Sequence, residues 1–194
     1  MDILDFIKIT DDALDLSMVS KIIRYLNYVE KDFVEGTTVA DSKNKLKNIN
    51  RQHRKADVYN FHPTNKNLTN VHIYDILYNL MKRANKDYKL TYNIPHAGDM
   101  PTDISALRYT EGFFYKPHVD HCMQHPRTLS AIFLLNNDYE GGHLCFYEPN
   151  NVDLIKRVEV KANRLIMWPS NFLYPHAIEP VTKGKRYSIV TWIL

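Results

Sequence analysis

The sequence predicts a mainly β chain with helical support, an α+β arrangement built around a double-sheet jelly roll. Three observations carry this. From Ile104 onward, short β-rich runs follow one another at regular intervals with no helical periodicity between them. Gly112, Asn136-Asn137, Gly141-Gly142, Pro149-Asn150, Asn163, Pro169-Ser170 and Gly184 punctuate those runs as turn residues do. The first half, by contrast, carries two amphipathic helical patterns.

Taken in order, residues 3–9 suit a short strand. From Leu16 the apolar positions Met18, Val19, Ile22, Ile23, Leu26 and Val29 recur at helical spacing, with Ser17 available as N-cap. A polar stretch from Gly36 to Asp57 follows, carrying Lys43, Lys45, Lys47, Arg51, Arg54 and Lys55; it reads as a mobile loop or an irregular strand pair. A second helix is expected from Val71 to Ala84 through Ile73, Ile76, Leu77, Leu80 and Met81. Eight strands then follow: Ile104–Tyr109, Phe113–His118, Leu129–Leu135, His143–Tyr147, Val158–Val160, Arg164–Trp168, Pro175–Val181 and Tyr187–Leu194. Eight strands without intervening helices suit a jelly roll. The expectation is one domain over residues 1–194, with helices, strands and a loop in 1–103 and the jelly roll in 104–194.

Hydrophobic residues make up 44% of the 194, charged residues 24%, and the net charge is +3. That balance suits a globular protein, and it is too small and too mixed to imply nucleic acid. No apolar run reaches membrane-spanning length, and Met1-Asp2-Ile3-Leu4-Asp5 does not resemble a secretory signal. With only Cys122 and Cys145, a disulfide framework is excluded and a cytoplasmic location is expected; both thiols read as small apolar side chains.

Function concentrates in His118-x-Asp120, a later His176, and Arg186 ten positions further on. Two imidazoles and one carboxylate can fill one face of an octahedron around a non-haem iron(II), leaving positions for substrate and oxygen. His118 ends a predicted strand and Asp120 lies two residues on, so both side chains can aim at one point. His176 opens a later strand that a jelly roll can bring beside the first. Arg186 sits on the next strand; its planar fork matches a carboxylate, and Ser188 shares its side of the strand.

These residues resemble the iron(II)- and 2-oxoglutarate-dependent dioxygenases, specifically the prolyl 4-hydroxylase-like group. The matching features are Tyr109-Thr110-Glu111-Gly112-Phe113-Phe114-Tyr115-Lys116-Pro117-His118-Val119-Asp120, then Arg127, Asn136 with Gly141-Gly142, His176, and Arg186 through Trp192. The resemblance covers residues 104–194 and implies a double-stranded β-helix, the cupin-like form of the jelly roll. It implies iron(II) held by His118, Asp120 and His176, and 2-oxoglutarate held by Arg186 with Tyr109 and Ser188. Oxygen is the other co-substrate, and ascorbate the reductant. Several animal members carry a second tyrosine on the distal carboxylate of the co-substrate; the aligned position here is Leu134, so that contact is missing from the pattern.

The resemblance also places Trp192, Arg127 and Tyr115 on the substrate side. Dioxygenases that repair alkylated nucleic acids carry a second arginine six residues after the first, where this chain has Trp192. That favours a peptide or protein substrate, and prolyl hydroxylation as the reaction. Arg127 suits either substrate binding or support of its loop. Two other readings remain open: a dioxygenase with the same cofactors acting on a free amino acid, another side chain or a modified nucleobase, and a non-catalytic cupin-like binding module. The Gly36 to Asp57 stretch is expected to act as a lid over the substrate.

Overall fold

A computed structural model of the chain describes residues 2–37, 50–123, 126–150 and 152–194. Two facing sheets make its core. The larger has seven strands in the order β1 (Lys8–Thr10), β11 (Arg164–Pro169), β7 (Leu129–Leu134), β14 (Arg186–Ile193), β5 (Ile104–Tyr109), β4 (Asp57–Phe61) and β2 (Val34–Glu35). The smaller has five, in the order β10 (Leu154–Arg157), β9 (Leu144–Tyr147), β12 (His176–Ile178), β6 (Phe114–His118) and β3 (Arg54–Lys55). β8 (Glu140–Gly141) and β13 (Val181–Lys183) pair separately. Every strand pairing is antiparallel, and the expected jelly roll is the architecture found.

Alternation along the strands divides the interior into two cores. On β14 and β7, Tyr187, Ile189, Ile193, Ala131 and Phe133 face α1 (Leu16–Tyr28) and α2 (Leu68–Tyr92), meeting Ile22, Leu26, Leu77 and Met81. The residues between them, including Val190, Ile132 and Leu134, turn the other way and meet Leu144, Phe146 and Ile178 of the smaller sheet. A strand with both faces covered reads as a continuous apolar run, which is why Leu129–Leu134 is buried throughout. The period of two then puts Arg186, Ser188, Val190 and Trp192 on one line facing the space between the sheets.

Several boundaries differ from the sequence expectation, each for a visible reason. Asp15, not Ser17, caps α1: its carboxylate accepts from the Ser17 amide, and the helix starts at Leu16. Residues 3–9 divide into a 3₁₀ turn, Ile3–Phe6, and β1. α2 begins earlier and runs on to Tyr92 because Asn85 and Tyr88 continue its buried face where an aliphatic pattern would stop; Asn93, at φ 51°, ends it. The expected strand Val158–Val160 is displaced to Leu154–Arg157, a half-exposed edge with a bulge, while Val158 only tucks its side chain into the core. The Pro175–Val181 run divides into β12 and β13, since Pro180 lacks the N–H that would continue the ladder. Asp57 belongs to β4, and Arg54–Lys55 pair with Tyr115 and Phe114 of β6, so the polar stretch ends in strands. Residues 38–49, including Lys43, Lys45 and Lys47, lie outside the described residues, and so does most of the expected lid.

Candidate active site

β6 and β12 are neighbours in the smaller sheet, with His118 and His176 directly opposite each other. Asp120 follows two residues after His118, where the chain leaves the strand. Its Oδ1 lies 3.7 Å from His118 Nε2 and its Oδ2 3.4 Å from His176 Nε2. One ligand atom from each residue falls within 4.8 Å of the others, so the three can hold a single metal ion. No other such group of three occurs among the described residues.

The surrounding bonds orient these donors. His118 Nδ1 lies 2.9 Å from the Lys116 carbonyl oxygen, and His176 Nδ1 3.1 Å from that of Tyr174. A carbonyl oxygen only accepts, so each Nδ1 carries the proton and each Nε2 turns its lone pair toward Asp120. Burial, with the neighbouring His176 adding to it, pushes His118 down to about 3, which keeps that imidazole neutral at pH 7. Burial works against the Asp120 carboxylate, but the two imidazoles and the Ser130 hydroxyl outweigh it and hold the group below the usual carboxylate range. Ser130 Oγ donates to Asp120 Oδ2 at 2.6 Å, and Ser170 Oγ lies 2.8 Å behind it. The neutral His118 imidazole and the ionised Asp120 carboxylate are in the protonation states that metal binding requires.

Arg186 is fully buried. Its Nη1 donates to Ser188 Oγ at 2.8 Å, while Nε and Nη2 have no partner. Among the described residues no carboxylate lies within 4.0 Å of it. A buried guanidinium without a counter-charge is strongly unfavourable, so this one fits an anion supplied by a ligand. Its fork lies 5.2 Å from the centre of the Tyr109 ring, on the strand register Arg186 opposite Tyr109. The Tyr109 hydroxyl is buried and also unpartnered. Leu134, at the position of the missing second tyrosine, is an apolar residue of the inner core.

Tyr139 was not singled out by the sequence. Its hydroxyl is buried and unpartnered, and its ring and the Arg186 side chain flank Gly142. A Cβ on Gly142, which has φ +62°, would meet Arg186 Cδ at 3.0 Å and Tyr139 Cε2 at 3.2 Å; the glycine permits that approach. Burial pushes both phenols up, against the pull of Arg54 and Arg186 on Tyr109 and of Arg186 on Tyr139, so both remain O–H donors. The one clue in the sequence is an aromatic residue alone among the polar turn residues 136–142.

A cavity of about 700 Å³ opens beside the triad. Tyr109, Leu107 and Val190 line it, as do Trp192, Arg127 and Tyr115. Arg127 stacks on Trp192, its guanidinium carbon 3.7 Å from the ring centre, and donates to the Asp120 carbonyl oxygen at 3.2 Å. Tyr115 stacks on His118 with ring centres 3.6 Å apart. Gly36, Thr37 and Arg54 also line the opening. His121 Nδ1 meets the Arg127 carbonyl oxygen, and His143 Nδ1 lies 3.1 Å from a Glu179 carboxylate oxygen; neither residue lines the cavity.

Residues 104–194 match the profile of the 2OG-Fe(II) oxygenase superfamily. Human prolyl 3-hydroxylase 3 is 30% identical over 95 residues, 46% of this chain and 13% of that protein. A PKHD-type hydroxylase of Psychrobacter sp. (strain PRwf-1) is 38% identical over 104 residues, 48% of this chain and 38% of that one. The chain therefore spans well under half the length of these curated relatives. Among solved structures, a Pseudomonas putida prolyl-4-hydroxylase superposes with a TM-score of 0.74 at 17% identity, covering 97% of this chain and 92% of its own. A Trichoplax adhaerens prolyl hydroxylase in complex with a peptide fragment of hypoxia inducible factor gives 0.76 at 16% identity, covering 97% and 83%. Residues 104–194 are thus similar in sequence to the 2OG-Fe(II) oxygenase superfamily, and the fold of the chain is similar to that of these solved prolyl hydroxylases.

Proposed function

We propose that this chain is an iron(II)- and 2-oxoglutarate-dependent dioxygenase that hydroxylates prolyl residues in a peptide or protein. The carrying observation is the buried, unpaired fork of Arg186, next to Tyr109, whose side chain lines the cavity beside the triad. A metal site alone would serve many reactions; a metal site with a buried cation waiting for a carboxylate suits a dicarboxylate co-substrate. Its relatives named as prolyl hydroxylases, and the aromatic Trp192 in the cavity lining, support prolyl residues as the target.

When bound, iron(II), 2-oxoglutarate and oxygen supply the oxidising chemistry, giving succinate, carbon dioxide and one oxygen atom for a substrate C–H bond. The chain's residues supply the arrangement. His118 and His176 would offer their Nε2 atoms to the metal, and Asp120, held by Ser130, the charge. Arg186 would receive the distal carboxylate through its two unpartnered nitrogens, while Ser188 fixes the other side of its fork. The Tyr109 and Tyr139 hydroxyls donate to the same group, Tyr139 standing in for the tyrosine that Leu134 does not provide. Leu107 and Val190 give the cavity an apolar wall that would exclude water from a bound co-substrate. Trp192, Tyr115 and Arg127 shape the place where the prolyl ring sits.

Tyr139→Phe removes one donor and little volume. Affinity for 2-oxoglutarate, titrated by calorimetry with manganese(II) in the metal site, should fall about three- to tenfold. Oxalate, which lacks the distal carboxylate, should bind the variant as well as the native chain; equal weakening of both would remove Tyr139 from this role. The proposal as a whole is tested with prolyl peptides, free proline and methylated DNA, each followed by mass spectrometry for the gain of one oxygen atom. Turnover of only free proline or only DNA would replace the prolyl-peptide reading.

A further inference from the structure

Four arginines elsewhere in the described chain find acids. Arg108 pairs with Asp57 and Glu30, Arg164 with Asp11, Arg157 with Glu179, and Arg51 with Glu35. Arg127 stands 3.9 Å from Asp120. Two arginines turned toward the site have no such partner among the described residues. One is Arg186, assigned above to the co-substrate. The other is Arg54.

Arg54 is held in place without being neutralised. Its strand β3 pairs with β6, placing it opposite Tyr115, and the amide of Lys116 bonds to the His53 carbonyl oxygen at 2.9 Å. Its Nη1 donates to the Thr37 carbonyl oxygen at 2.8 Å, which orients the fork but brings no charge. Its Nε is buried without a partner. The guanidinium carbon lies 4.8 Å from the centre of the Tyr115 ring, and that ring stacks on His118. Arg54 thus lines the cavity opening one aromatic ring away from the metal ligands.

We infer that Arg54 binds a carboxylate of the substrate, close to the residue being hydroxylated. The inference rests on the proposed prolyl-hydroxylase reading and narrows it: the preferred substrate carries an anionic group within about one or two residues of the target proline. Geometry favours the substrate over the co-substrate. A bound 2-oxoglutarate would have its two carboxylates taken up by Arg186 and the metal, which would leave Arg54, a lining residue beside Tyr115, for a different anion. A flanking Asp or Glu side chain and the α-carboxylate of a C-terminal proline present the same chemistry. A charge-assisted bond to a fork that is already oriented gives more discrimination than an exposed ion pair would.

The test compares matched peptides on the native chain and on Arg54→Gln: Glu-flanked against Gln-flanked proline, and C-terminal prolyl acid against prolyl amide. The native chain should prefer one anionic member of these pairs by about tenfold or more in kcat/KM, and that ratio should fall to near one in the variant. Whichever pair shows the effect identifies the source of the carboxylate. Arg54→Glu, tested with a Lys-flanked peptide, should reverse the preference, which a misfolded variant could not do. Equal turnover of charged and neutral peptides by the native chain overturns the inference while leaving prolyl hydroxylation standing. So does an Arg54→Gln variant whose calorimetric affinity for 2-oxoglutarate falls while its peptide ratio holds, since that would assign Arg54 to the co-substrate. Oxygen-dependent succinate release with no prolyl peptide hydroxylated would remove the reading beneath it as well.

Discussion

Alanine at His176 should abolish iron binding and turnover while leaving the fold largely intact. His176 sits at the start of β12, only 5% exposed, between the ring of His118 and that of Trp168. Its loss takes away one of two imidazoles and leaves a carboxylate and one nitrogen, too few to fill a face of the octahedron. The structural cost is smaller. One bond to the Tyr174 carbonyl oxygen disappears, worth about 1–3 kcal/mol where the acceptor stays buried. The Ser130 bond to Asp120 and the pairing of β12 with β9 do not involve the imidazole. Metal content per chain and circular dichroism check the two halves separately. A variant that retains full activity would move the metal elsewhere.

Replacing Arg186 by Lys should raise the KM for 2-oxoglutarate on the order of tenfold or more, with little change in iron affinity. The positive charge survives, but the fork does not. Arg186 Nη1 is already committed to Ser188, so the native geometry leaves Nε and Nη2 as a parallel pair for a carboxylate. An ammonium offers a single point there and cannot also reach Ser188. Steady-state kinetics at varied 2-oxoglutarate, with metal affinity measured alongside, separates the two sites. An unchanged dependence on 2-oxoglutarate would move the carboxylate contact elsewhere.

What could be read from the sequence was what burial imposes locally. β5 has the expected bounds, Ile104–Tyr109, because nearly all its residues are buried and leave an unbroken apolar run. His118 and His176 were traceable because one closes and the other opens a strand, half-exposed for His118 and buried for His176. β10 was misplaced because Leu154–Arg157 is half-exposed and bulged, so neither alternation nor a continuous run marks it. α2 was read too short because Asn85 and Tyr88 occupy buried positions with polar atoms: Asn85 Nδ2 donates to the Gly98 carbonyl oxygen and the Tyr88 hydroxyl to that of Phe6. Tyr139 and Arg54 were invisible as site residues for another reason. Their relevance lies in partners far along the chain, Arg186 for one and Tyr115 with His118 for the other, and no short-range spacing encodes such proximity.

The unpaired guanidinium of Arg186 also has a thermal consequence. A buried cation opposes folding until its counter-ion arrives, so the ligand-free chain should be less heat-resistant than its packing alone would allow. Arg186→Met, similar in length and uncharged, should then raise the melting temperature of the ligand-free protein, reflecting a gain of about 1–4 kcal/mol. Adding 2-oxoglutarate with manganese(II) should do the same for the native chain, by about 2.7 kcal/mol at a hundredfold excess over its Kd, and far less for the methionine variant. A ligand-free native chain that melts above the methionine variant would show that the cation is compensated in some other way. If the order holds, the supply of co-substrate governs how long the enzyme survives as well as how fast it works.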